Sequence, residues 1–230
     1  MTKQETNHSN TATANNAKIL SPSNGNIRAI PRIGIGGPVG SGKTAIIEAL
    51  VPELMRRGAI PAVITNDIYT QEDANQIRRT LAGTLDPERI VGVETGSCPH
   101  TAVRDDPTMN LMAAAELIDE YPDTTVLIFE SGGDNLTLTF STALTDLFIF
   151  VLDTAEGQKM PKKKGPGITD SDILVINKID IAQYVRCDVD IMHTDALKVR
   201  NNKPVVLTNS LDGTGISELA DTIVELLPAS

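Results

Sequence analysis

The chain has 230 residues, a formal net charge of −10 at pH 7, 40% hydrophobic residues and two cysteines, Cys98 and Cys187. It is long enough to bury a substantial core, its acidity disfavours sequence-independent binding to DNA or RNA, and two cysteines are too few for a disulfide framework. No run approaches the roughly 20 apolar residues of a membrane span, and MTKQETNHSNTATANNAKIL has neither the basic start nor the apolar core of a secretory signal; the expected location is the cytoplasm, with no nucleic acid or membrane as partner.

Residues 1–28 are rich in Asn, Thr, Ser and Ala and read as a disordered polar extension, in which His8 has no catalytic company. Residues 29–230 read as one domain. Seven apolar runs of strand length follow one another: IPRIGIG, AIPAVIT, RIVGVE, TTVLIFE, TDLFIFVLD, SDILVINK and KPVVLTN. Several are continuous rather than alternating, as strands buried on both faces should be. Helical patterns lie between them at 44–57, 71–82, 107–120 and 216–227. In the last, Ile216, Leu219, Ile223 and either Leu226 or Leu227 share a face. Strands alternating with helices predict an α/β fold: a mainly parallel sheet flanked by helices on both faces. The basic run 162–164 reads as a solvated loop, with a phosphate or partner contact as the alternative.

The segment Gly37-Pro38-Val39-Gly40-Ser41-Gly42-Lys43-Thr44 satisfies G-x-x-x-x-G-K-[ST] between a predicted strand and a predicted helix. That makes the fold a P-loop NTPase. Glycines let successive N–H groups turn inward around phosphate oxygens, and the helix N-terminus adds favourable partial charge. Lys43 is expected on the β- and γ-phosphates and Thr44 on Mg²⁺. Further on, Asn177-Lys178-Ile179-Asp180 closes a strand. A carboxylate there accepts the two donors of guanine, which adenine lacks, so GTP is the expected nucleotide. A strand-ending Asn with an Asp cap is the plainer alternative. Thr208 to Ser210 end the next strand and are candidates to flank the base.

Two segments have the form of γ-phosphate sensors. Asp67 follows the second strand with Glu72 five residues on, both candidates for Mg²⁺ or its waters; a helix start capped by Thr70 is the alternative. Glu130-x-x-Gly133 has the shape of an Asp-x-x-Gly switch with glutamate in place of aspartate. Its alternative is a Gly-Gly turn before a loop. Cys98-Pro99-His100 joins a thiolate and an imidazole, ligands suited to Zn²⁺, Ni²⁺ or Cu, across a stiffening proline. One chain supplies only two such ligands; a two-fold dimer would supply four. An incidental loop cysteine and histidine remain the alternative on spacing alone.

Taken together, GGPVGSGKT, TNDIYTQEDA, VETGSCPHTAVRDD, ESGGDNL, KGPGITDSDILVINKID and VVLTN resemble the urease accessory GTPases of the UreG family, in order and without large gaps. The resemblance implies a dimerising P-loop GTPase with slow intrinsic hydrolysis that helps deliver nickel to the urease active site. Its implied partners are other urease accessory proteins and the urease apoprotein. It implies phosphate and Mg²⁺ duties for Lys43 and Thr44, the switch for Asp67 and Glu72, Ni²⁺ or Zn²⁺ at Cys98 and His100, and the base for Asn177 and Asp180. Ser97 stands where the family pattern has glycine, and the extension lacks the His-rich tract of some relatives. The other readings are a hydrogenase-maturation nickel GTPase and a small-molecule P-loop kinase; the kinase leaves Asn177 and Asp180 without a task.

Overall fold

The computed structural model describes residues 21–67, 70–96, 101–133 and 135–227. Its seven strands are β1 (Arg32–Gly36), β2 (Pro61–Asp67), β3 (Ile90–Glu94), β4 (Val126–Glu130), β5 (Leu147–Asp153), β6 (Ile173–Asn177) and β7 (Val205–Leu207). They form one sheet in the order β3-β2-β4-β1-β5-β6-β7, and every pairing is parallel. All seven expected strands are present, and "mainly parallel" becomes wholly parallel among the described residues.

Parallel neighbours need crossovers; between β4 and β5 no helix lies among the described residues, and everywhere else helices supply them. They are α1 (Lys43–Arg56), α2 (Glu72–Thr80), α3 (Thr108–Glu120), α4 (Pro166–Asp170), α5 (Val189–Val199) and α6 (Ile216–Leu226). Side chains alternate across each strand, so the sheet feeds two cores. In β5, Leu147, Ile149 and Val151 join the layer under α1, α2 and α6, while Phe148, Phe150 and Leu152 join the layer that holds α3 and α5. Double burial explains why β5 reads as an unbroken apolar run. The open choice in α6 resolves to Leu227, which is buried, whereas Leu226 is exposed. Helix α5 escapes the sequence pattern because it buries only Met192 and Ala196; its signal is the N-cap, where Asp188 accepts from Ile191 N at 3.0 Å.

The packed body reaches back into the expected extension. Ser23 is buried, its N–H donates to Thr124 O at 2.8 Å and its hydroxyl to Pro122 O at 3.0 Å. Residues 1–20, with His8, lie outside the described residues. In the basic run, Lys162 pairs with Asp195 at 2.8 Å, and Lys163 and Lys164 are exposed.

Strand β1 carries glycine on one face for a packing reason. Ile33 and Ile35 enter one core, while Gly34 and Gly36 face Phe140 and Leu138 on the other. A Cβ on Gly36 would lie 2.2 Å from Leu138 Cδ2. Gly36→Ala should therefore lower stability by about 1–3 kcal/mol, the usual cost of overpacking. Adding Leu138→Ala should cost less in that background than in the parent. Urea midpoints for the double-mutant cycle check this, and strictly additive effects would refute the contact.

Candidate functional site

The carboxyl ends of parallel strands gather on one edge of the sheet, where α/β ligands bind. Here that edge collects the loop after Gly36, Asp67, Glu94, Glu130, Asp153, Asn177 and Thr208, each ending or just following its strand. Of the residues singled out in the sequence, the 37–44 loop, Glu130, Gly133, Asn177 and Lys178 come together there.

The 37–42 loop turns directly into α1, whose N-cap is Gly42 at φ 94°. Only glycine adopts that conformation without strain, and a Cβ there would meet Asn177 Nδ2 at 2.4 Å. Lys43 is 7% exposed, and its ammonium donates to Gly37 O at 3.1 Å and Pro38 O at 3.2 Å. Those carbonyls hold the cation inside the loop, where phosphate oxygens are its natural acceptors. The first turn of α1 has no acidic residue, so the helix end favours an anion. Val39 stands 82% exposed at the loop's tip.

The second motif is built onto the first. Asn177 is fully buried; its Nδ2 donates to Ser41 O at 3.1 Å, and its Oδ1 accepts from Thr208 Oγ1 at 3.0 Å and Ser210 N at 3.3 Å. Lys178, at φ 59°, reaches over the loop to Gly40 O and pairs with Asp153 at 2.6 Å. Asp180 is exposed in the short helical turn that follows, Ile179–Ile181, available to a ligand. Asp153 was not singled out by sequence; its signal was a carboxylate closing the apolar run LFIFVLD. Beside it, Glu156 keeps both carboxylate oxygens buried with no protein donor, and burial, then the Asp153 charge, push its pKa up to about 7.

On the other side of the loop, Thr44 Oγ1 donates to Glu130 Oε1 at 2.6 Å. Glu130 is 1% exposed, and its Oε2 has no hydrogen-bond partner. Gly133 lines the same cavity of about 270 Å³ with Lys43, Thr44 and Glu130. Asp67 takes the hydroxyl of Thr70, and its carbonyl accepts from Thr95 N at 2.8 Å. Glu72 points elsewhere: it pairs with Arg79 at 2.6 Å, both side chains 65% exposed, and does not line the cavity. The next residue, Asp73, does, and burial followed by the Asp67 charge raises its pKa. One position along a helix turns a side chain by about 100°, enough to exchange cavity for solvent. Gln76, one turn on, lines the cavity as well.

Two further residues carry no motif. Asn66 and Asn110, both fully buried, exchange amide hydrogen bonds at 2.8 and 3.0 Å. Asn66 also donates to Glu130 O at 2.9 Å, and Asn110 to Ala102 O at 2.9 Å. Ala102 belongs to the five-residue π-helix Thr101–Asp105, immediately after the Cys-Pro-His segment. Cys98 and His100 themselves lie outside the described residues. No helix of the described residues is long and apolar enough to cross a membrane.

The family model for the CobW/HypB/UreG nucleotide-binding domain matches residues 31–207. The chain is 74% identical to urease accessory protein UreG 2 of Streptomyces griseus over 82% of its own length and 84% of the relative's. It is 59% identical to urease accessory protein UreG of Edwardsiella ictaluri, over 86% and 95%. Among solved structures, HypB from Helicobacter pylori in complex with nickel superposes with a TM-score of 0.69 at 20% identity, covering 94% of this chain and 93% of that one. The hydrogenase maturation factor HypB of Archaeoglobus fulgidus gives 0.65 at 20%, over 96% and 98%. At those identities the likeness is one of fold, and it is the expected P-loop α/β fold.

Burial raises the Glu130 pKa to about 8; the Thr44 hydrogen bond opposes the rise, and the Asp73 charge adds to it. An unfolded glutamate ionises near 4.5, so between these values the folded chain binds more protons and loses stability as pH rises. The urea midpoint of the nucleotide-free protein should fall from about pH 5 to about pH 8, and Glu130→Gln should flatten that fall. An unaltered slope in the variant would assign the titration to another group.

Proposed function

The chain belongs to the CobW/HypB/UreG family, and on that premise we propose that it is a GTP-hydrolysing metallochaperone that inserts nickel during urease maturation. The protein is a P-loop GTPase of the urease accessory kind. The observation that carries the guanine reading is the bridge from Asn177 and Lys178 to Ser41 O and Gly40 O, which joins the phosphate loop and the Asn-Lys-x-Asp segment in one unit. A small-molecule kinase would leave the exposed Asp180 without a task. Relatives at 59–74% identity carry the urease accessory name, whereas the HypB structures stand at 20%, which favours urease over hydrogenase maturation.

In this reading the backbone of residues 37–42 and the Lys43 ammonium hold the phosphates, and Asp180 accepts from guanine N1–H and its amino group. The donors beside the loop suit Mg²⁺: Thr44 supplies a hydroxyl and Glu130 a buried oxygen that lacks a partner, while Asp67, which holds the Thr70 hydroxyl and does not line the cavity, would have to turn toward them. Bound there, Mg²⁺ neutralises charge developing on the transferred phosphoryl group. Glu72 would need to leave Arg79 to join that set. Gly133 offers its N–H to the γ-phosphate. Nickel is cargo, with zinc as its competitor, and Cys98 and His100 of two chains supply four ligands in a homodimer. Other urease accessory proteins and the urease apoprotein are its partners, in the cytoplasm. Residues 29–230 act as one domain, with the segment around Ser23 packed against it.

Three measurements test the assignment. Lys43→Ala should weaken binding of a fluorescent GTP analogue at least about tenfold without lowering the melting temperature; parental affinity would refute the phosphate-loop role. Asp180→Ala should cut the preference for GTP over ATP at least about tenfold in competition, because the matched donors lose their acceptor. Nickel titrated with a non-hydrolysable GTP analogue should bind at one ion per two chains, and Cys98→Ala or His100→Ala should abolish it. Tight binding by a monomer would overturn the shared site.

A further inference from the structure

Helix α2 contributes Asp73 and Gln76 to the cavity that Lys43, Thr44 and Glu130 also line. Hydrolysis of GTP there requires a water held against the γ-phosphorus, which asks for a group that donates and accepts at once. Lysine only donates. The Asp73 carboxylate accepts but repels a phosphate, and Glu130 and the Thr44 hydroxyl are already committed to each other. Among the described residues lining the cavity, Gln76 alone carries a carboxamide: its N–H₂ suits a phosphate oxygen and its carbonyl a water proton.

That carboxamide is engaged by a neighbour. Its Nε2 donates to Glu48 Oε1 at 3.0 Å, and Thr80 Oγ1 donates to the same oxygen at 3.0 Å. Glu48 lies one turn beyond Thr44 on α1, so the bond joins α1 to α2 at the rim of the cavity. We propose that Gln76 positions the hydrolytic water and that Glu48 restrains it, which keeps hydrolysis slow in the isolated chain. The proposal rests on the GTPase reading above. The reaction is a simple displacement: the water oxygen bonds to the γ-phosphorus, the bond to the β–γ bridging oxygen breaks with its electron pair on GDP, and the water's proton leaves with the phosphate.

Released by Glu48, Gln76 can turn into the cavity; without Gln76, releasing Glu48 achieves nothing. This sets the two variants in opposite directions, which an interhelical staple would not do. In single-turnover assays with saturating GTP and Mg²⁺, Gln76→Ala should slow hydrolysis at least about tenfold, and Glu48→Ala should speed it severalfold. The double variant should match Gln76→Ala. Affinity for the fluorescent GTP analogue should stay at the parental value in Glu48→Ala, whose side chain does not line the cavity. A parental rate in Gln76→Ala, a slowed Glu48→Ala, or a double variant as fast as Glu48→Ala overturns the proposal while leaving the GTPase reading in place. Failure of the parental protein to bind GTP overturns both.

Discussion

Asn177 has no contact with solvent, so every polar position of its amide must be satisfied inside the protein. It finds its partners in two separate loops, Ser41 on one side and Thr208 with Ser210 on the other. That single side chain sets the spacing between the end of β6, the phosphate loop and the end of β7. It also fixes the residue type at 42, since only a position without a Cβ clears its Nδ2. Lys178 repeats the clamp from above, trading its ammonium between Gly40 O and Asp153. The cost of leaving buried amide or carbonyl groups unpaired, about 1–3 kcal/mol each, makes this arrangement close to all-or-none.

A second pair of amides does for the left half of the sheet what Asn177 does for the right. Asn66 and Asn110 satisfy each other, and each has one donor left over. Asn66 spends its own on the carbonyl of Glu130, Asn110 on Ala102 within the π-helix. A π-turn leaves one carbonyl without its usual helical partner, and such turns recur at functional sites. The end of β4, next to the phosphate cavity, is thus tied in three steps to the segment that leaves Cys98 and His100. Because the tie is made of discrete buried bonds, the two ends move together or the bonds break.

The fold was legible because burial on both faces writes itself as unbroken apolar runs; several strands carry that signature, TDLFIFVLD most plainly, while the edge strand β3 is only partly buried. The phosphate loop and the Asn-Lys-x-Asp segment were legible because their geometry demands particular residues at fixed spacing. What the sequence did not disclose are contacts made across the fold by residues of ordinary type. Asn66, Asn110, Asp153 and Gln76 have no spacing rule; they matter only because parallel strands bring their loops to one edge. The choice between Glu72 and Asp73 at the cavity turned on helix phase, which the cap region leaves undetermined to within a residue. Helix α5 was hidden by its polar surface, with only Met192 and Ala196 buried.

The stretch KGPGITDSD entered as part of a pattern and turns out to hold a mooring. Gly167 N–H donates to Leu136 O at 2.9 Å, and a side chain on Gly165 would strike that same carbonyl, at 2.4 Å from its Cβ. Leu138, two residues further, is fully buried over Gly36. Between Glu130, fixed in the sheet, and Leu136, fixed on this glycine shelf, the chain has a short tether of a few residues, each spanning at most about 3.6 Å. Any excursion of Gly133 is therefore bounded at both ends, and its amplitude is set by the length of that tether and not by the softness of the glycines within it.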